Sequence, residues 1–417
     1  MFFKSLLPNG VRIISETVPG VKSVTLGVWV GAGSRFEQET NQGISHFIEH
    51  LLFKGTEKRT ARDIAESIDA VGGQLNAFTA KEYTCYYVKV LATQIDFAME
   101  LLSDMILASR FAPEDIVRER EVVWEEYNMY EDTPDELIHD LHLADIWPAN
   151  ALGRNILGNN QSLGVLNREM VLEYYRHFYT PDNLVIAAAG NLDHDKLTEL
   201  SARYFGRLTG QVKQPEIIPP VFKPGKSVKT KDIEQVHFCL GTRGVPQNSP
   251  AIYPYHILNS MLGGGISSRL FQSIREDRGL AYSIYSYQTN YSDAGLFTIY
   301  AGTRPANTNK VIELILTNIR KMKNNSITAD ELAKVKEQLK GNLLLGLEGS
   351  SSRMSRIAKL EMTLGKYLTL DEVVAKINQV TRADVEQALA TIFEPDNICL
   401  TALGPVDETT IPANLNI

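Results

Sequence analysis

One order of elements is written twice in this chain, and that constrains its fold more than any single motif. Phe111-Ala112-Pro113-Glu114-Asp115-Ile116 opens a long helical stretch, and Ile327-Thr328-Ala329-Asp330-Glu331-Leu332 opens another at the matching place in the second half. Each is preceded by an amphipathic helix pattern, at 95–108 and 307–321, and each of those by a strand-like run, at 84–90 and 296–301. Gly43-Ile44-Ser45 pairs in the same way with Gly265-Ile266-Ser267, each leading into a helix. Strands and helices mix without strict alternation, which favours two α+β domains over one doubly wound sheet. A chain of 417 residues is also too long for one ordinary core. Pro215, Pro219, Pro220, Pro224 and Gly225 punctuate residues 207–230 as a linker. The expected plan is therefore a domain at 1–206, the linker, and a homologous domain at 231–417.

The first half carries something the second lacks. In His46-Phe47-Ile48-Glu49-His50 two histidines stand four apart with a glutamate between them. On a helix over 43–55, steps of about 100° put His50 about 40° round from His46 and Glu49 about 60° to the other side. Three polar groups then share one stripe, while Ile44, Phe47, Ile48, Leu51, Leu52 and Phe53 bury the rest. Ionisable groups in so apolar a helix are costly to bury without partners. A histidine pair at this spacing is often only packing. The interposed glutamate makes it the reversed form of the H-E-x-x-H zinc motif, able to hold zinc and activate a water beside it. The residues paired with it by the Gly-Ile-Ser match, Ser268-Arg269-Leu270-Phe271-Gln272, hold no such set.

Two histidines are too few, because a catalytic zinc takes three protein ligands and keeps a position open. The helix expected over 113–130 offers Glu114, Glu119, Glu121, Glu125 and Glu126. Glu114 suits the positive end of its dipole, and a run of acids is ordinarily a solvated face. Glu119 and Glu126, seven apart, share a side of the helix, and the duplicate helix has Val335 and Asn342 in their places. The carboxylates are thus missing from the half without the histidines.

Composition excludes several classes. Net charge is −8 with no basic tract, which argues against nucleic acid or an anionic membrane as partner. No apolar run reaches the roughly 18 residues of a membrane span. Residues 1–10 read as a strand entering an Asn-Gly turn rather than a signal peptide. Cys85, Cys239 and Cys399 are sparse, odd in number and far apart, which suggests reduced buried thiols in a cytoplasmic protein.

The chain resembles the pitrilysin/insulinase zinc peptidases. The resemblance runs through Asn41-Gln42-Gly43-Ile44-Ser45-His46-Phe47-Ile48-Glu49-His50-Leu51-Leu52-Phe53-Lys54-Gly55-Thr56, Gly72-Gly73-Gln74-Leu75-Asn76-Ala77-Phe78-Thr79, Arg118-Glu119-Arg120-Glu121-Val122-Val123-Trp124-Glu125-Glu126 and Leu262-Gly263-Gly264-Gly265-Ile266-Ser267-Ser268-Arg269-Leu270-Phe271. It is nearest to short bacterial members similar to the mitochondrial processing peptidase β subunit. It implies two homologous domains, each an antiparallel-rich sheet covered by helices. It implies one Zn2+ per chain on His46, His50 and Glu126, with Glu119 behind them and Glu49 as the base that activates water. It further implies that Leu75, Asn76, Ala77, Phe78 and Thr79 form an edge strand on which a peptide or unfolded segment is laid.

Arg275 and Tyr282 read by themselves as a surface arginine and a tyrosine beginning a strand. The resemblance gives them a catalytic part: arginine holding a substrate carbonyl, a phenol hydrogen-bonding the oxyanion. Because the family's chamber uses four such domains, it also implies a homodimer with composite sites, zinc from one chain and Arg275 and Tyr282 from the other. The rival is a non-catalytic peptide-binding or scaffold subunit of the same fold, and such relatives tend to lose the ligands and base. His139 and His142 lack a glutamate at the right spacing, and His177, His194, His237 and His256 stand alone. Gly263-Gly264-Gly265 lacks the Gly-Lys-Ser/Thr of a phosphate loop and suggests a tight strand-to-helix turn.

Overall fold

A computed structural model describes residues 1–213, 215–324, 327–394, 397–412 and 414–415. The chain forms two α+β units, each built on one mixed sheet. The first sheet comprises β1 (Phe2–Leu6), β2 (Arg12–Thr17), β3 (Ser23–Val30), β4 (Gln74–Thr79), β5 (Thr84–Leu91) and β6 (Leu184–Gly190). Its order is β1-β2-β6-β3-β5-β4, antiparallel except for the β2–β6 pair. The second comprises β7 (Gly225–Thr230), β8 (Val236–Arg243), β9 (Ala281–Asn290), β10 (Gly295–Thr303) and β11 (Ile398–Gly404). Its order is β7-β11-β8-β10-β9, with β7–β11 parallel and the rest antiparallel. Strand for strand, β7-β11-β8-β10-β9 repeats β2-β6-β3-β5-β4. The duplication read from short sequence matches is therefore a duplication of topology.

On the first sheet lie α1 (Ile44–Leu51), α2 (Ala61–Ala70), α3 (Ile95–Leu107) and α4 (Pro113–Glu131). The elements expected at 84–90, 95–108 and 113–130 therefore form within a residue of their expected bounds. β3, β5 and β6 present Val24, Leu26, Val28, Val88 and Ile186 to Phe47, Ile48, Met99, Leu102 and Met105 in one buried cluster. Burial of each such side chain contributes about 1.5–3 kcal/mol, which is what holds a helix as short as α1 in place.

The units are not the contiguous halves of the chain. The first takes in 346–367 and the second 130–153, so each borrows a helix from the other half of the sequence. Helix Ser350–Leu364 covers the outer face of the first sheet, with Met354, Ile357 and Ala358 against Ile14, Trp29, Val185 and Ala187. Trp29 Nε1 donates to Met354 Sδ at 3.2 Å, and Lys4 Nζ to Glu361 at 2.7 Å. Helix Pro134–Ile146 covers the second sheet, where His142 Nδ1 donates to Thr401 Oγ1 at 3.0 Å and Thr401 donates to Asp145 at 2.8 Å. Gly241 in β8 makes room for that imidazole, since a Cβ there would lie 2.2 Å from Nε2.

Two local expectations change. By element order the counterpart of α1 is helix Ile252–Leu262, the first helix after β8, and residues 268–276 stand where α2 stands, just before the edge strand. The Gly-Ile-Ser match was a local coincidence displaced by one helix. Ile252–Leu262 also lacks the histidine pair. Gly263-Gly264-Gly265 accordingly ends a helix rather than linking a strand to one, and Gly263 O accepts from Ser286 N of β9 at 3.1 Å.

Candidate metal centre

α1 begins abruptly because its cap is built from outside the helix. Gly43 takes φ 88°, and a Cβ there would sit 2.5 Å from Leu157 O, so glycine suits the position. The Glu37 carboxylate accepts from Gly43 N at 2.7 Å and Ser45 N at 2.9 Å, meeting two donors that a helix start leaves open. Burial pushes the Glu37 carboxyl above its ordinary range, against those hydrogen bonds. Ser45 Oγ hydrogen-bonds Tyr174 Oη at 2.8 Å from helix Arg168–Phe178. The residue before His46 is thereby tied to a second element.

α4 supplies the carboxylates. It follows Phe111, the one described non-glycine residue with positive φ, at 45°, which is buried with its ring tilted against Tyr175 at 5.1 Å. That turn redirects the chain from α3 into α4. Glu119 is 3 % exposed and its Oε2 accepts from His50 Nδ1 at 3.3 Å. Lys54 Nζ ion-pairs with Glu119 Oε1 at 2.7 Å. With Nδ1 bound to Glu119, His50 turns Nε2 to Glu126 Oε2, 3.4 Å away, and His46 Nε2 lies 3.8 Å from the same oxygen.

These three donors suit zinc. Among the described residues His46, His50 and Glu126 are the one group of three or more metal-competent side chains, with all ligand atoms within 4.8 Å of one another. A tetrahedral zinc with bonds of about 2.0–2.2 Å sets its donors about 3.3–3.5 Å apart. The two imidazole nitrogens, 3.4 and 3.8 Å from Glu126 Oε2, are within a few tenths of an ångström of that spacing from the carboxylate. Glu119 supplies the outer carboxylate that typically orients a ligating imidazole. The side chains of His46, His50 and Glu126 are 10, 23 and 41 % exposed, so the centre is closed behind and open on the Glu126 side.

The electrostatics reflect crowding. Burial and the neighbouring His50 lower the His46 imidazole to about 4. Burial would lower His50 too, but its hydrogen bonds to Glu119 and Glu126 prevail and raise it to about 9. Burial likewise opposes Glu119, yet its bonds to His50 and Lys54 hold it below the usual carboxylate range. The His50 hydrogen bond does the same for Glu126. Glu49 is held by a different element. Burial raises its carboxyl, and Thr79 Oγ1 donates to its Oε2 at 2.5 Å.

Thr79 ends β4, an edge strand of its sheet, so Leu75, Asn76, Ala77, Phe78 and Thr79 do lie on an edge. Asn76 Oδ1 accepts from Ala77 N at 2.8 Å, and Phe78 packs edge-on against Trp29 at 5.4 Å. In the second unit Arg275 lies in the π-helical turn Phe271–Glu276, its guanidinium 4.7 Å from the Phe271 ring and 5.5 Å from the Tyr282 ring. Tyr282 is 79 % exposed on β9, itself an edge strand. The pair is brought together, and among the described residues the Tyr282 phenol has no hydrogen-bond partner.

The remaining histidines lie among other neighbours. His139 bonds Tyr287 Oη at 2.7 Å and Tyr285 Oη at 3.1 Å, and burial lowers it to about 4. Burial lowers His142 to about 3. His177 bonds Lys213 O, His194 bonds Ser5 and Ser15, His237 bonds Tyr300, and His256 lies beside Tyr253. Cys85, Cys239 and Cys399 are free and buried, their thiols raised by burial. Sequence reading missed Glu37, Lys54 and Tyr174. Only Lys54 left a trace, standing one helical turn beyond His50.

The chain is thus a two-unit α+β protein with an H-x-x-E-H sequence on α1. Comparison supplies its family. Residues 12–160 match the family described as Insulinase (Peptidase family M16), and 166–339 match the one described as Peptidase M16 inactive domain. The chain is 44 % identical to the uncharacterized zinc protease YmxG of Bacillus subtilis, over 93 % of this chain and 95 % of the relative. It is 40 % identical to an uncharacterized zinc protease of Streptomyces coelicolor, over 97 and 90 %. It superposes with TM-score 0.91 on the crystal structure of a protease from Helicobacter pylori, at 22 % identity, covering 97 % of this chain and 99 % of that one. A peptidase M16 inactive domain structure from Pseudomonas fluorescens gives 0.90 at 18 % identity, covering 97 and 98 %. The chain belongs to the insulinase family, peptidase family M16, whose members matched here are named zinc proteases.

Proposed function

We propose that this protein is a zinc-dependent endopeptidase of peptides or unfolded segments, with one zinc per chain. The observation that carries the reading is the convergence of His46 Nε2, His50 Nε2 and Glu126 Oε2 beside a half-buried glutamate tied to the sheet edge. When bound, zinc polarises the scissile carbonyl and lowers the pKa of an adjacent water towards about 7. His46 and His50 bind as neutral imidazoles, and Glu119 keeps the His50 ring turned with Nε2 outward. Glu49, its carboxyl raised by burial, takes the water's proton and returns it to the leaving amine. An extended peptide adds to β4 by main-chain hydrogen bonds, which fixes the scissile bond with little demand on side chains.

Tyr282 and Arg275 are read as the groups that stabilise the oxyanion and hold a substrate carbonyl, from the partner in a homodimer. The exposed phenol and the stacked guanidinium support that part. The buried free thiols favour a cytoplasmic setting. Among the described residues no helix is long and apolar enough to cross a membrane.

Cleavage of a quenched fluorescent peptide, with and without chelator, tests the reading. Zinc-restored cleavage is expected. Peptide binding without cleavage by the zinc-loaded protein makes it a scaffold subunit instead, and chelator-insensitive cleavage removes the metal. Mixing Glu49→Gln with Tyr282→Phe chains tests the dimer. Activity above both parents is expected, because one mixed site is then intact.

A further inference from the structure

We propose that Thr79 is a positioning residue for Glu49, so that the strand holding the peptide also aims the base. The inference rests on the peptidase reading and moves Thr79 from substrate contact to the catalytic machinery. Among the described residues, the Thr79 hydroxyl is the one hydrogen-bond partner of the Glu49 carboxylate, at 2.5 Å to Oε2. A glutamate side chain has three torsions, and α1 fixes only where they start. The Thr79 bond fixes where they end. It also divides the carboxylate: Oε2 is held by the strand, and Oε1 is left to accept a proton.

Thr79 itself is a fixed point. Its backbone pairs with Thr84 of β5, and the turn after it closes with Ala80 N donating to Tyr83 O at 2.8 Å. The loop before α1 clamps the same turn, with Ser34 N donating to Ala80 O at 3.3 Å and Arg35 N to Lys81 O at 2.8 Å. Thr84 Oγ1 lies 3.4 Å from Thr79 Oγ1 and donates to Ala32 O at 2.9 Å. That loop continues to Glu37, whose carboxylate caps α1. Base, edge strand and zinc helix are therefore joined in one closed ring of hydrogen bonds. A hydrogen bond to a charged group is strong enough for its loss to be read in rate.

The experiment compares Thr79→Val and Thr79→Ser in the full-length zinc-loaded protein. Thr79→Val is expected to lower kcat about 10- to 100-fold with KM within about twofold. Zinc content stays unchanged, and Thr79→Ser recovers most of the rate. In the Glu49→Gln background, affinity for a fluorescent peptide, measured by anisotropy, is expected to stay within about twofold when Thr79→Val is added, since the hydroxyl is not spent on peptide. Should the valine variant lose its cooperative melt, Thr79→Ala removes the hydroxyl with less bulk and carries the same expectations.

An unchanged kcat overturns the proposal. So does a serine variant as slow as valine, or a loss confined to KM and peptide affinity, which makes Thr79 a substrate contact. A zinc-loaded wild type that cleaves no peptide removes the peptidase reading and this inference together. An active wild type matched by Thr79→Val removes this inference alone.

Discussion

Helix α4 and helix Ala329–Gly346 hold the same place in the two units and differ where chemistry would be. In α4 the buried residues are Ile116, Glu119 and Val123, and in its counterpart Leu332 and Val335. Glu119 and Val335 thus fill one position, a carboxylate in one copy and an apolar side chain in the other. Asn342 replaces Glu126 about two turns further on. The fold needs neither carboxylate, since the second copy folds the same sheet order without them. The first copy carries a buried carboxylate that is tolerable only because His50 and Lys54 answer both its oxygens. The scaffold and the site are separate layers of this sequence.

The sharpest way to break that comparison is to make the first copy resemble the second. Glu119→Val with Glu126→Asn should abolish zinc binding, read as metal per chain, and with it peptide cleavage. The melt should remain cooperative. A lost fold would mean the carboxylates belong to the scaffold after all. Next in size is Glu49→Gln, expected to lower turnover about 10²- to 10⁴-fold with zinc retained. Zinc lost together with activity would make Glu49 a ligand and the assigned roles wrong. Glu119→Gln keeps the shape and removes the charge behind His50. A drop of about 10- to 100-fold in zinc affinity is expected, by competition with a chromophoric chelator.

The mildest perturbation concerns protons. His50, raised to about 9 in the metal-free protein, carries a proton at neutral pH that zinc must displace. His46, lowered to about 4, is already neutral. Zinc affinity should therefore fall about tenfold per unit as pH drops from about 8 to 6. A flat profile would show that His50 is neutral before metal arrives. The linkage to stability has the matching sign. The metal-free fold gains from protonated His50 below about 6.5 and loses that gain as pH rises through about 9.

The histidine stripe and the two glutamates were legible because each follows a short period, and the α+β duplication because its order of elements recurs along the chain. Helical spacing puts His46 and His50 on one stripe, and Glu119 and Glu126 on one side of α4, before any tertiary contact exists. What lay beyond reach involves elements far apart in the chain. The exchange of helices Pro134–Ile146 and Ser350–Leu364 between units leaves no local mark, because an apolar face does not say which sheet it covers. The cap on α1 comes from Glu37 around a left-handed glycine, and the partner of Glu49 comes from a strand thirty residues on. The Gly-Ile-Ser pairing misled for the same reason, since three residues match by chance and only element order places them.

By itself, then, the sequence determined the repeated element order and the donor types of the centre, because periodicity and residue chemistry are local properties. Tertiary structure decided which nitrogen faces the Glu126 carboxylate, how far each group is shifted from its ordinary pKa, and which oxygen of Glu49 is left free. Those depend on burial and on distances of a few ångströms between segments that only the closed sheet and its covering helices bring together.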